Sequence, residues 1–175
     1  MKIAKSTAAV KGAQPQVDGA MVKWTLDLER YVPALLVFLA NKITNGASNL
    51  YRKNFGVGVI EWRCMGLIAI EPWASPNRIC QVIGLDKAAV SRSIRSLEKK
   101  ALVEVRSSSQ RARFLEVALT ETGCRLYDRM IQVAFEREGR LLADITPQER
   151  EALISMLNRM HQRIPTVNGP IDIPR

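Results

Sequence analysis

A mainly α-helical fold carrying one small β-hairpin is predicted by three observations. Residues 75–84 and 86–100 read as two helices joined by a tight turn at Gly84. The second of these helices is basic along one side and apolar along the other. Past Ala101 the apolar period changes from about 3.6 to about 2, and two alternating runs flank the stretch SSSQRA, the pattern of a hairpin. Helix, turn, basic helix and hairpin in this order make a winged helix-turn-helix, an α+β arrangement that sets one helix in a DNA major groove and a loop beside it. Further helices are expected before and after it.

Residues 1–20 (MKIAKSTAAVKGAQPQVDGA) are small, polar and aperiodic, and predict a disordered arm. Leu28, Val32, Leu35, Leu36, Leu39 and Ile43 recur at helical spacing, which predicts a first helix over about 24–45. Pro33 either kinks this helix or starts it afresh. Leu35, Leu36, Val37, Phe38 and Leu39 cover most of its circumference, so it needs two partners, and a second subunit is the natural source of one. Residues 41–58, rich in Asn and Gly, predict a loop.

A second helix is expected over 59–69 (VIEWRCMGLIA), stopped by Glu71-Pro72. Ser75 caps a third, with Pro76 at its first position, Ile79, Val82 and Ile83 on its inner face and Gly84 as its left-handed end. Asp86 caps the fourth, residues 87–100. In the hairpin, Val103 and Val105 alternate with Glu104 and Arg106, and Leu115, Val117 and Leu119 alternate with Phe114, Glu116 and Ala118. Thr120 opens a long helix carrying Leu126, Met130, Val133 and Leu141. Thr146-Pro147-Gln148-Glu149 is a capping box that opens a last helix ending at Gln162, followed by an extended tail over 163–175. One domain is thus expected over 21–162, with a winged core at about 59–120 flanked by helices at about 24–45 and 121–162.

Charge is unevenly placed in this chain of 175 residues and net charge +9. Residues 75–114 hold nine Lys/Arg against three acids, whereas 121–162 hold six Arg against seven acids. A basic excess packed into one segment is the footprint of a polyanion partner. Cys64, Cys80 and Cys124 are scattered without a CxxC spacing, which points to a reducing compartment rather than a disulfide framework. The most apolar run, residues 32–40, is far shorter than the ~20 residues a bilayer requires, and the first 20 residues lack a signal-like apolar core. A cytoplasmic protein without membrane partners is the expectation. The sole histidine, His161, has no Cys/His companions at zinc spacing, and neither a phosphate-binding glycine loop nor a carboxylate constellation is present. An enzyme, a metal site and a cofactor are therefore not expected.

On a helical wheel of the fourth helix, Val90, Ile94, Leu97 and Ala101 fall within roughly 60°, and Lys87, Ala88, Ser91, Arg92, Arg95 and Lys99 on an adjoining arc of roughly 140°. One face anchors the helix. The other lets the backbone approach base edges at Ala88 and Ser91 while Arg92 and Arg95 reach guanine or phosphate. Asp86 and the helix N-terminus suit the sugar–phosphate backbone, and Ser75 and Asn77 at the start of the third helix complete this candidate set. Arg111 and Arg113 at the hairpin tip suit a minor groove, Arg113 being the better fixed because it approaches the strand.

From about Trp24 to Ile164 the chain resembles the multiple-antibiotic-resistance regulator (MarR) family of bacterial transcription factors. The residues that carry the resemblance are Glu61-Trp62-Arg63, the stretch LDKAAVSRSIRSLEKKALVEV, and Leu119-Thr120-Glu121-x-Gly123. It implies a triangular homodimer with first, fifth and sixth helices interleaved between subunits, which makes those at about 24–45 and 121–162 the dimerisation helices. It also implies a pseudo-palindromic operator in double-stranded DNA and repression relieved by a small-molecule effector. Family wings commonly carry an Asp two residues before the Arg that aligns with Arg113; Arg111 stands there instead, which implies a looser wing or one held to DNA more by charge. The resemblance further implies a ligand crevice between the dimer helices and the reading head, for which Trp24, Tyr31, Trp62 and Arg63 supply stacking surface and countercharge toward an aromatic acid or related metabolite. Trp62, spaced helically from Met65 and Ala69, equally fits a core position. Two alternatives remain at this level: a regulator responding to cysteine oxidation, and a winged interaction module without specific DNA readout.

Overall fold

The structure, a computed structural model, describes residues 26–107 and 115–173 together with two short paired segments near the N-terminus. Those segments are β1 (Gln16–Val17) and β2 (Ala20–Met21), an antiparallel ladder at the end of the stretch expected to be disordered, reaching one residue past it. Then follow α1 (Val32–Phe55), α2 (Val59–Ile70), α3 (Pro76–Ile83), α4 (Lys87–Lys99), β3 (Val103–Ser107), β4 (Leu115–Leu119), α5 (Glu121–Leu141), α6 (Pro147–Gln162) and α7 (Ile164–Val167). The fold is mainly α with a two-stranded antiparallel hairpin, the winged helix-turn-helix that the periodicities predict.

Helix α1 corrects the expectation of a loop over 41–58. It starts afresh at Val32 with Pro33 in its first turn and continues to Phe55, ending on Gly56 at φ 65°. Asn and Gly weaken a helix by up to ~1 kcal/mol each. Packing overrides that penalty, because Ala47 and Tyr51 are buried in the core on this half of the helix. Helix α2 is apolar apart from Glu61 and Arg63, and neighbours surround it: α1, α3, α4, α5 and β4 all pack on it. The tail is not wholly extended either, since Ile164–Val167 form one helical turn with Pro at its start.

The caps stand where the local sequence puts them. Ser75 Oγ accepts the Arg78 amide at 3.1 Å, Asp86 Oδ1 the Ala89 amide at 2.8 Å and Thr120 Oγ1 the Gly123 amide at 3.0 Å. Thr146 and Glu149 exchange the bonds of a capping box. In the hairpin Val103 faces Leu119 and Val105 faces Val117, and the Val117 amide also donates to the Ala74 carbonyl at 3.1 Å.

Met65, Ile68, Ile79, Val90, Leu97, Val117 and Met130 form the centre of the core, in the angle between α2, α3, α4 and β4 and closed by α5. The opposite end is open. Leu35, Leu36, Val37, Phe38 and Leu39 of α1, Phe135 and Leu141 of α5, and Leu153, Ile154, Met156 and Leu157 of α6 are all exposed, and α6 buries no residue in the chain itself.

Candidate nucleic-acid interface

Helix α4 separates its faces as the wheel predicts. Val90, Ile94 and Leu97 are buried, while Lys87, Ala88, Arg92, Arg95 and Lys99 are exposed and Ser91 is half-exposed. Arg95 Nη2 donates to Ser91 Oγ at 3.1 Å, one turn back, which steadies the guanidinium on the outer face. Ser75, Asn77 and Asp86 lie at the starts of α3 and α4, with Asn77 and Asp86 exposed. The anchoring arc is wider than the apolar pattern showed, because Ala89 and Ser93 are also buried. They are small residues, and their size lets α2 lie close against α4. Arg92 stands at this seam and borders a cavity of about 460 Å³ with Arg52, Glu61, Ser96 and Lys100. Arg111 and Arg113 fall between β3 and β4, outside the described residues.

The hairpin joins the last helices through one tight knot. Ala101 turns the chain at φ 56°, and Thr120 closes the turn from the other side. Its hydroxyl donates to the Ala101 carbonyl at 2.7 Å and its amide to the Leu102 carbonyl at 3.1 Å. Gly123 then lies so close to Leu102 that a Cβ would stand 1.9 Å from the Leu102 oxygen.

A second site lies on the other side of α2, a cavity of about 590 Å³ between α1, α2 and α5. Ile43, Ala47, Leu50, Val59 and Leu141 give it apolar walls, and Tyr51 and Trp62 an aromatic one. Trp62 stacks on Tyr127 at 5.2 Å and meets Tyr51 at 5.6 Å, so it serves the core and lines the cavity at once. Three arginines border the space. Arg140 pairs with Glu136, but Arg63 donates to Thr44 Oγ1 at 2.8 Å and Arg137 to the Ile43 carbonyl at 3.1 Å, and neither belongs to an ion pair among the described residues. Burial, offset in part by the Arg137 charge, raises the Tyr51 phenol above its ordinary 10.0, so it stays a neutral donor. The structure thus brings Trp62 and Arg63 together but leaves Tyr31 apart, at the exposed N-cap of α1. Trp24 lies outside the described residues. Arg137 was missed from the sequence because its approach to Ile43 spans 94 residues.

Comparison with known proteins decides the family. Residues 55–113 match the model of the MarR family. A crystallised MarR/EmrR family transcriptional regulator from Acinetobacter sp. ADP1 is 33% identical, covers 81% of this chain and 99% of its own, and superposes with a TM-score of 0.75. The chain belongs to the MarR family. The uncharacterized HTH-type transcriptional regulator YdgJ of Bacillus subtilis is 32% identical over 98 residues, 54% of this chain; the match spans 58% of that relative's length. The protein of the S. aureus MepR–DNA complex shares the fold alone, with 19% identity, 78% and 98% coverage and a TM-score of 0.68.

The MarR residues of α2 now have physical tasks. Glu61 Oε2 accepts the Gly58 amide at 2.5 Å and Glu61 Oε1 takes Lys100 Nζ at 2.6 Å, so the start of α2 is tied to the end of α4. Lys100 also donates to the Gly56 carbonyl at 2.8 Å. Burial pushes the Glu61 carboxyl upward, but the Gly58 amide, Lys100 and the Ser96 hydroxyl outweigh it and hold its pKa below the usual 4.5. A depressed carboxyl stabilises the fold fully above that value and loses its contribution as pH falls below it. Glu61→Gln is expected to cost about 1–2 kcal/mol at neutral pH. Its melting curve should converge on the wild-type curve as pH falls below the ordinary carboxyl value of 4.5. A gap that ignores pH would refute this account.

Among the described cysteines of this MarR chain, Cys64 is fully buried, and burial, with Cys80 and Glu61 nearby, pushes its thiol up to about 12. That removes Cys64 as a thiolate sensor at neutral pH. Cys80 is half-buried and Cys124 exposed. No helix among the described residues is long and apolar enough to cross a membrane.

Proposed function

We propose that the chain is a sequence-specific DNA-binding transcriptional regulator that acts as a homodimer, as a repressor released by a small molecule. The observation that carries this reading is the two-faced α4. Its apolar side is locked in the core, and an unobstructed face of Lys87, Ala88, Arg92, Arg95 and Lys99 is turned outward. A second copy is favoured by the many large apolar residues of α1, α5 and α6 left exposed, since so much exposed apolar surface marks an interface. Two such heads related by a twofold axis suit half-sites about one helical turn apart, roughly 10–10.5 base pairs.

The effector is proposed to be an anion with an apolar or aromatic body, such as an aromatic carboxylate. The α1–α2–α5 cavity supports it, with Trp62 for stacking and Arg63 and Arg137 for countercharge. Binding there would weaken operator affinity only by the effector's preference for a dimer with wrongly spaced heads.

Selection of bound fragments from a genomic DNA pool at near-physiological salt tests the reading. A shared inverted repeat is the expected result. Salt-sensitive binding with no common motif would reduce the protein to a general polyanion binder or an interaction module.

A further inference from the structure

The four residues Glu71 to Ala74 link α3 to both strands of the wing. The Ala74 amide donates to the Glu71 carbonyl at 3.2 Å, Pro72 occupies the second position, and Trp73 occupies the third at φ 65°. These are the marks of a type II turn, whose third position ordinarily holds Gly or Asn because a side chain is strained there. Here the most voluminous side chain of all takes it. Such a placement persists only when the surroundings hold it and the side chain is used.

The use is visible. The Arg106 guanidinium of β3 lies 3.5 Å from the centre of the half-buried Trp73 ring. Arg106 Nε also donates to Glu116 Oε2 at 3.1 Å, directly across the hairpin on β4. At one end of the turn Glu71 accepts two bonds from Arg78 of α3, at 2.9 and 2.7 Å. At the other end Ala74 holds the Val117 amide of β4 at 3.1 Å. One turn thus grips the helix-turn-helix, β3 through a stacked cation, and β4 through a backbone bond.

We propose that Trp73 is the positioning residue of the wing: its ring is the platform on which Arg106 rests, and the pair sets the angle of the hairpin relative to the reading helix. Arg106 belongs, on this account, to the frame, because its guanidinium stacks on Trp73 and its Nε is taken by the Glu116 carboxylate. The proposal extends the DNA-binding reading by naming what aims its second contact, and it rests on that reading only for its effect on affinity.

The test uses the full chain as Trp73→Gly, Trp73→Phe, Arg106→Ala and the Gly/Ala double variant. Glycine accepts the positive φ without strain, so Trp73→Gly removes the platform while relieving the turn. Amide exchange without DNA is expected to accelerate in residues 103–107 and 115–119 and to stay unchanged in α2 and α4. Affinity for the site enriched from genomic DNA should fall roughly two- to fivefold in Trp73→Gly and in Arg106→Ala, the scale of one solvent-exposed cation–π pair. Trp73→Phe should retain most of the affinity, and the double variant should be no weaker than either single. Faster exchange throughout the protein would assign Trp73 a merely structural role, and single losses that multiply in the double would separate it from Arg106; either overturns the proposal. If wild-type protein enriches no common site, the DNA reading fails while the exchange pattern still decides the clamp.

Discussion

Replacing Gly123 with alanine is expected to unfold the winged core or leave it insoluble. The added Cβ would stand 1.9 Å from the Leu102 oxygen and 2.9 Å from the Leu102 carbonyl carbon, both backbone atoms that no rotamer change can clear. Relief requires α5 to move away from the Ala101–Leu102 turn. That movement breaks the Thr120 bonds to the Ala101 and Leu102 carbonyls and exposes Leu102 and Val103, both buried. Overpacking a core ordinarily costs about 1–3 kcal/mol, and a clash between two backbones with loss of the knot should exceed about 3 kcal/mol. Gly66→Ala is the contrasting variant. It lies inside α2 with nothing within 4 Å of the added carbon, so it should stabilise by about 0.5–1 kcal/mol. Urea unfolding of the two variants measures both signs. Equal midpoints for Gly123→Ala and wild type would show that α5 does not seat against the turn as described.

The second large effect concerns readout. Arg92→Ala with Arg95→Ala should lower operator affinity by about 10²–10⁴-fold, since a guanidinium bidentate to guanine is worth about 1–3 kcal/mol. Folding should survive, because both side chains are exposed and neither joins an ion pair among the described residues. Dimerisation should also survive, being expected from α1, α5 and α6 at the other end. Fluorescence anisotropy on the enriched operator and on scrambled duplex, with sedimentation for the dimer, distinguishes the outcomes. A small loss shared by both duplexes would mean that α4 supplies charge alone and that sequence is read elsewhere.

Much of the reading head was legible in the sequence. Ser75, Gly84, Asp86, Thr120 and the Thr146–Glu149 box act on atoms a few residues away, so their residue types announce the element ends. The outward face of α4 was legible for the same reason, because helical periodicity fixes which side chains share a side. Ala89 and Ser93 were not, since nothing in a small residue says that a second helix will cover it. The Asn- and Gly-bearing half of α1 misled because local propensity is weak and the burial of Ala47 and Tyr51 outweighed it.

By itself, then, the sequence determined the order and kind of the elements from residue 59 to residue 162, their caps, and a basic helix face poised outward. The tertiary structure alone decided that Glu61 ties α2 to Lys100, that Arg137 joins Arg63 at one cavity, and that Trp73 lies under Arg106. The division has a physical cause. Caps and periodicity are interactions between near neighbours along the chain, whereas these three contacts join residues 39, 74 and 33 positions apart, brought together only once the shared apolar core of α2, α4 and β4 has formed.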